Sequence, residues 1–122
     1  MRVREKILVV EDNPATLRMC AATLEAMGYI PVLATGWLEA VQKVGTDIKM
    51  VFTDYCMPHW TGVDVRDMIR QKLGKSVPVV LLTALDNEHL ENDLKKFDLV
   101  IRKPFTFQEM SDALAHFLPI KN

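Results

Sequence analysis

Five side chains in this 122-residue sequence could do chemistry together if the fold brings them to one place: Glu11, Asp12, Asp54, Thr83 and Lys103. Each stands at or just beyond the end of a short apolar run. Glu11 and Asp12 follow Lys6-Ile7-Leu8-Val9-Val10, and Asp54 follows Met50-Val51-Phe52-Thr53. Thr83-Ala84 closes the run that begins at Val77, and Arg102-Lys103-Pro104 follows Leu99-Val100-Ile101. One such residue alone reads as a solvated loop position. Four loops that each supply a complementary group read as a site. Neighbouring carboxylates repel unless a cation lies between them. Oxygen donors suit a hard ion, and a site that keeps several waters suits Mg2+ better than Ca2+. A carboxylate can also act as a nucleophile and become an aspartyl-phosphate, with the metal and a lysine neutralising the incoming phosphoryl group. The formal charges of three carboxylates, one Mg2+ and Lys103 sum to zero (−3, +2 and +1). A phosphoryl group then adds about −1.5 to −2, and the donors left to meet it are Thr83 and backbone N–H groups.

The elements that must position these residues can be read from apolar patterning. Lys6–Val10, Tyr29–Ala34, Met50–Thr53, Val77–Thr83 and Leu99–Ile101 are too short for helices and rich in β-branched residues, so they read as five strands. Pro31 suits an edge strand. Helical spacing fills the intervals. Leu17, Cys20, Ala21, Leu24 and Met27 follow an Asn13-Pro14 start and precede Gly28. Trp37, Ala40, Val41 and Val44 precede Gly45. Val65, Met68, Ile69 and Leu73 precede Gly74. Leu90, Leu94 and Phe97 mark a weaker fourth helix. A Thr106–Glu109 capping box opens the fifth, whose buried stripe is expected to be Phe107, Met110, Leu114, Phe117 and Leu118. Strands alternating with helices imply an α/β fold with a parallel sheet covered on both faces, and such sheets bind ligands at the carboxyl ends of their strands.

Composition excludes more than it assigns. Fifteen Lys plus Arg against sixteen Asp plus Glu give a net charge of −1, which argues against a protein that coats nucleic acid or an anionic membrane. The apolar runs are too short to insert into a membrane, and Met1–Lys6 leads into no signal-like apolar stretch. Cys20 and Cys56 are too few for a disulfide framework, so a reducing cytoplasm is expected. The length fits one domain over residues 1–122.

The motifs taken together resemble the receiver domains of two-component response regulators, the group that includes the chemotaxis response regulator. They are Ile7-Leu8-Val9-Val10-Glu11-Asp12-Asn13, Asp54-Tyr55-Cys56-Met57-Pro58 with Gly62, Leu82-Thr83-Ala84 and Lys103-Pro104-Phe105, in the family's order and spacing. The resemblance spans essentially the whole chain. It implies a flavodoxin-like doubly wound (βα)5 sandwich whose five parallel strands run in the order 2-1-3-4-5. It implies that Asp54 is the phosphoacceptor, loaded from a phosphohistidine on a histidine kinase or histidine phosphotransfer protein. Glu11 and Asp12, Asp12 most directly, would hold Mg2+ with Asp54 and the backbone carbonyl of Cys56; Mn2+ is the alternative ion. Thr83 would hydrogen-bond the phosphoryl group and Lys103 would pair with one of its oxygens, beside a cis Lys103-Pro104 bond. Such a module catalyses only its own phosphoryl transfer and autodephosphorylation, and controls a downstream output domain or protein. Its output face would be the fourth helix, fifth strand and fifth helix, where a homodimer could also form. Thr83, Ala84, Leu85, Val100 and Pro104 are the expected switch positions.

The sequence departs from the family at Val100, where an aromatic ring usually stands. Switching is therefore expected to rest on Thr83 and loop rearrangement, with a short or shifted fourth helix. His59 and Trp60 are expected to line the rim beside Asp54, Leu85 to sit on the same rim and slow water, and Trp37 and the helically spaced Met residues to be core. Two patterns are decoys. Gly74-Lys75-Ser76 lacks the first glycine of a phosphate loop and precedes a strand; Cys56 and His59 lack a second ligand pair for zinc. Two other classes compete. A haloacid-dehalogenase-type phosphatase would carry Asp-x-Asp after the first strand, where Glu11-Asp12-Asn13 stands. A receiver-like interaction module that is never phosphorylated would not need the complete set of five.

Overall fold

The computed structural model of the chain describes residues 4–84 and 91–118. Five parallel strands form the central sheet: β1 (Lys6–Val10), β2 (Ile30–Ala34), β3 (Ile48–Asp54), β6 (Val79–Thr83) and β7 (Leu99–Arg102). Their spatial order is β2-β1-β3-β6-β7. In strand sequence this is the expected 2-1-3-4-5. Two further strands, β4 (Cys56–Met57) and β5 (Trp60–Thr61), make a small antiparallel hairpin directly after β3. No sequence pattern announced it, because two-residue strands carry no period.

The period-2 alternation of buried strands divides the core into two. Ile7 and Val9 of β1, Met50 and Phe52 of β3, and Val80 and Leu82 of β6 face α1 (Pro14–Ala26) and α5 (Phe107–Phe117), meeting Leu17, Cys20, Leu24, Met110 and Leu114. Leu8, Val10, Val51, Val79 and Leu81 face the other way. They pack with Ala40 of α2 (Trp37–Lys43), Val65, Met68 and Ile69 of α3 (Gly62–Leu73), and Phe97 just beyond α4 (Glu91–Leu94). A register shift between Lys6 and Ile7 turns Lys49 outward, so that Ile48 can share a face with Val51.

Local chemistry sets the helix ends. Asn13 Oδ1 accepts from the Ala15 and Thr16 N–H groups with Pro14 at the first helical position, as the sequence implied. Gly28 follows α1 with φ +87°, a conformation a side chain would resist. The Thr106–Glu109 box forms. Three apolar placements differ from expectation. Phe107 is 51% exposed, because it sits at the first helical position and roughly 70° around the helix from the middle of the buried stripe. Trp37 is only half-buried and stacks on Trp60, ring centroids 4.0 Å apart, and Met27 is likewise only half-buried. Leu85 and Leu90 lie outside the described residues. No helix among the described residues is long and apolar enough to cross a membrane.

Candidate functional site

All five candidate residues meet at the carboxyl end of the sheet. Glu11 and Asp12 leave β1, Asp54 ends β3, Thr83 ends β6 and Lys103 follows β7. The neighbouring strands β1, β3, β6 and β7 supply them side by side, so parallel pairing alone brings residues more than ninety positions apart into contact. Carboxylate oxygens of Glu11, Asp12 and Asp54 all lie within 4.8 Å of one another. Lys103 Nζ donates to Glu11 Oε2 at 2.7 Å and stands 3.4 Å from Asp54 Oδ1. The other Glu11 oxygen accepts the Asn13 N–H at 3.1 Å. Asp54 Oδ1 accepts the Tyr55 N–H at 2.8 Å. The Thr83 carbonyl accepts the Lys103 N–H at 2.8 Å, which fixes β7 beside β6 where the lysine leaves the sheet. The Lys103-Pro104 bond is cis.

Glu11 and Thr83 are each only 1% exposed, and Asp54 9%, whereas Asp12 is open to solvent. Burial, reinforced by the neighbouring Glu11 charge, pushes the Asp54 carboxyl up to about 7, against the pull of Lys103 and the Tyr55 N–H. Burial works against charge on Lys103, yet its hydrogen bond to Glu11 and the negative charges of Asp54 and Glu11 hold the ammonium above its ordinary range. Cys20 lies beneath the site, and burial pushes its thiol up to about 12, so it is neutral packing. With all three carboxylates ionised, one ammonium leaves a net −2, and the donor set is oxygen throughout. That is a fit for a hard divalent cation.

The response regulator receiver domain family matches residues 7–115. The chain belongs to that family. It is 32% identical to the response regulator SaeR of Staphylococcus aureus over 107 residues, which is 85% of this chain and 46% of that protein. The chain thus spans about half the length of the curated relatives it matches. The response regulator TrrA of Thermotoga maritima, solved in complex with Mg2+-BeF, is 30% identical, with a TM-score of 0.80 over 93% of this chain and 99% of that one. The receiver domain of sensor histidine kinase PA1611 of Pseudomonas aeruginosa, solved with magnesium in its active-site cleft, is 26% identical. Its TM-score is 0.83 over 94% and 98%.

The remaining predicted positions in this receiver domain divide clearly. Ala84 and Pro104 are exposed beside Thr83 and Lys103, and Val100 is half-buried against the core cluster on which Leu94 of α4 also packs. Cys56 begins β4 with its thiol side exposed, two residues beyond Asp54. His59 is exposed with φ +69° at the tip of the β4–β5 hairpin, and Trp60 turns onto Trp37 of α2. Two features escaped the sequence reading. One is the Thr61–Asp64 capping box of α3, which Thr-x-x-Asp could have signalled. The other is Tyr55, whose hydroxyl donates to Asp93 on α4 at 2.6 Å; no local pattern links residues 38 positions apart.

Proposed function

We propose that this receiver domain takes a phosphoryl group onto Asp54 from a phosphohistidine of a kinase or histidine phosphotransfer protein, and that the modified state alters how it engages an output domain or protein. The observation that carries this reading is the convergence of three carboxylates within 4.8 Å around one lysine. A carboxylate oxygen of Asp54 forms a bond to phosphorus. The P–N bond to the donor imidazole breaks, and its electron pair returns to the ring nitrogen. Lys103 lies 3.4 Å from the attacking carboxylate, within reach of the negative charge that arrives with the phosphoryl group. Thr83 ends the adjacent strand and is the hydroxyl donor for that group.

Mg2+, or Mn2+ in its place, would be held by Asp12, Asp54 and the Cys56 carbonyl, and when bound it supplies charge neutralisation. Glu11 supports this site from behind: both its oxygens are engaged, by Asn13 and Lys103, while Asp12 is open. The reaction is confined to the domain's own loading and autodephosphorylation, with no external substrate turned over. The α4–β7–α5 side is its output face and the place for a homodimer. The reading places the domain in the cytoplasm; the free thiol of Cys56 fits a reducing compartment. The test is incubation with Mg2+ and a small phosphodonor such as acetyl phosphate, followed by intact mass. A gain of about 80 Da that disappears in Asp54→Ala supports the reading. Absence of the adduct with every donor and ion overturns it in favour of an interaction module.

A further inference from the structure

Tyr55 is bonded at two ends. Its backbone N–H donates to Asp54 Oδ1 at 2.8 Å, and its phenol donates to Asp93 Oδ2 on α4 at 2.6 Å. Between those ends the ring is buried in the cluster that holds Met57, Met68 and Phe97, with Leu94 and Val100 packed against it. Only two side-chain torsions separate the backbone from the ring, and packing on both sides limits them. Asp93 is also 3.7 Å from Lys96, and Arg66 Nε of α3 donates to the Lys96 carbonyl at 3.2 Å, so the end of α4 is tied to the α3 side of the sheet. Val100 packs on the same cluster from β7 but offers only methyl groups. It can fill space there, and it cannot hydrogen-bond to α4.

We propose that Tyr55 is the positioning residue that couples the Asp54 acceptor to α4, through its hydroxyl bond to Asp93. The inference deepens the phosphoacceptor reading and rests on it for the nature of the trigger. Phosphorylation turns a carboxylate into an acyl phosphate, so an Asp54 oxygen that accepts the Tyr55 N–H loses charge or is bonded to phosphorus. A charge-assisted bond is about twice as strong as a neutral one, so the hold on the Tyr55 backbone changes. The stiff side chain passes that change to Asp93. The same cluster thus serves an aromatic connection launched from β3, where β7 carries valine.

The test is a double-mutant cycle read by amide hydrogen exchange at Lys95, Lys96, Phe97 and Asp98, each of whose N–H groups is hydrogen-bonded to a backbone carbonyl. In the unphosphorylated chain Tyr55→Phe and Asp93→Ala should each speed exchange there about tenfold, and the double variant no more than either alone. Asp93→Asn, which keeps an accepting oxygen, should return exchange to within about threefold of wild type. With Mg2+ and phosphodonor, the wild-type adduct should change exchange at these four amides. Asp93→Ala should gain the same adduct with that change reduced at least about fivefold. Additive effects in the cycle, no Asn rescue, or a full response in Asp93→Ala would each overturn the coupling. If the wild type takes no adduct, the phosphoacceptor reading fails, while the cycle run without donor still decides whether Tyr55 holds α4.

Discussion

Replacing Asp54 with asparagine should stabilise the metal-free domain at pH 8 and leave it nearly unchanged near pH 4. In the folded chain the Asp54 carboxyl is pushed up to about 7, first by burial and then by Glu11, from an ordinary value of 3.8. Between those two values the folded state holds a proton that the unfolded state has released. Stability from this group is therefore fully present below about pH 4 and is lost as pH rises through 7. Roughly three pH units at about 1.36 kcal/mol each would give about 4 kcal/mol. Water reaching the open side of the site reduces this to about 2–3 kcal/mol. Asparagine keeps the shape and an accepting oxygen for the Tyr55 N–H, and the 2.7 Å Lys103–Glu11 bond stays in place. Lys103 does not confuse the comparison. Its folded value is raised, so its contribution is lost only in strong alkali, outside this window. The assay is urea unfolding of both chains in EDTA at several pH values. The midpoint difference should be about 1–2 M at pH 8 and shrink steadily toward pH 4. Added Mg2+ should raise the wild type more than the variant and narrow the gap. A stability difference that stays constant from pH 4 to pH 8 within about 0.5 kcal/mol would refute the electrostatic account of the site.

Two further substitutions probe the same rim. Lys103→Ala removes the one ammonium that the described residues bring to a cluster in which Glu11 is 1% exposed, so at pH 8 without metal it should cost about 2–4 kcal/mol in urea unfolding, and less at pH 5 where Asp54 is protonated; an equal loss at both pH values would contradict this. At Gly62 an added Cβ would lie 2.7 Å from the Asp54 carbonyl oxygen and 3.0 Å from Leu81 Cδ1. Backbone cannot yield as a side chain does, so Gly62→Ala should cost about 2–4 kcal/mol and lower the rate of adduct formation on Asp54; an unchanged melting temperature and rate would show that the close approach does not constrain the acceptor strand.

The parts of this fold that were legible in the sequence are those governed by local rules. Val77–Thr83, observed as Val79–Thr83, and Lys6–Val10 announce buried strands because both faces are apolar, and Asn13-Pro14 announces α1 because capping depends on adjacent residues. The site was legible for a related reason: in a parallel sheet the residues after each strand share one rim, so Glu11, Asp12, Asp54 and Lys103 could be brought together without knowing any side-chain conformation. What stayed hidden depends on tertiary geometry. Trp37 of α2 meets Trp60 of the β4–β5 hairpin, and Tyr55 meets Asp93 of α4, only through the tertiary packing of elements far apart in the chain. Phe107 was misplaced because apolar spacing gives a helix face but not which turn overhangs solvent. Val100 illustrates the converse. The sequence exposed a missing ring at that position, while only the structure revealed an aromatic side chain, Tyr55, entering the same cluster from just beyond β3.

The net charge of −1 conceals how the site is balanced. Outside the rim, ion pairs such as Lys6–Asp47, Lys43–Glu39 and Arg70–Asp98 match charges locally. At the rim three carboxylates share one lysine, and the mismatch falls on buried groups, where repulsion is least screened. A neutral residue of the same shape at position 54 should relieve that repulsion in the metal-free chain. The excess is instead kept at a position flanked by Lys103 and close to Asp12, the one carboxylate of the three open to solvent. Stability given up in that way is recoverable only when positive charge arrives. On the proposed reading, such a site would become firmer when a divalent cation binds, and the cation would shift Asp54 from a part-protonated group toward the full carboxylate at neutral pH. If Asp54 is the acceptor, as proposed, metal binding and its readiness for attack would be one electrostatic event, set by the burial of Glu11 and Asp54 behind the exposed Asp12.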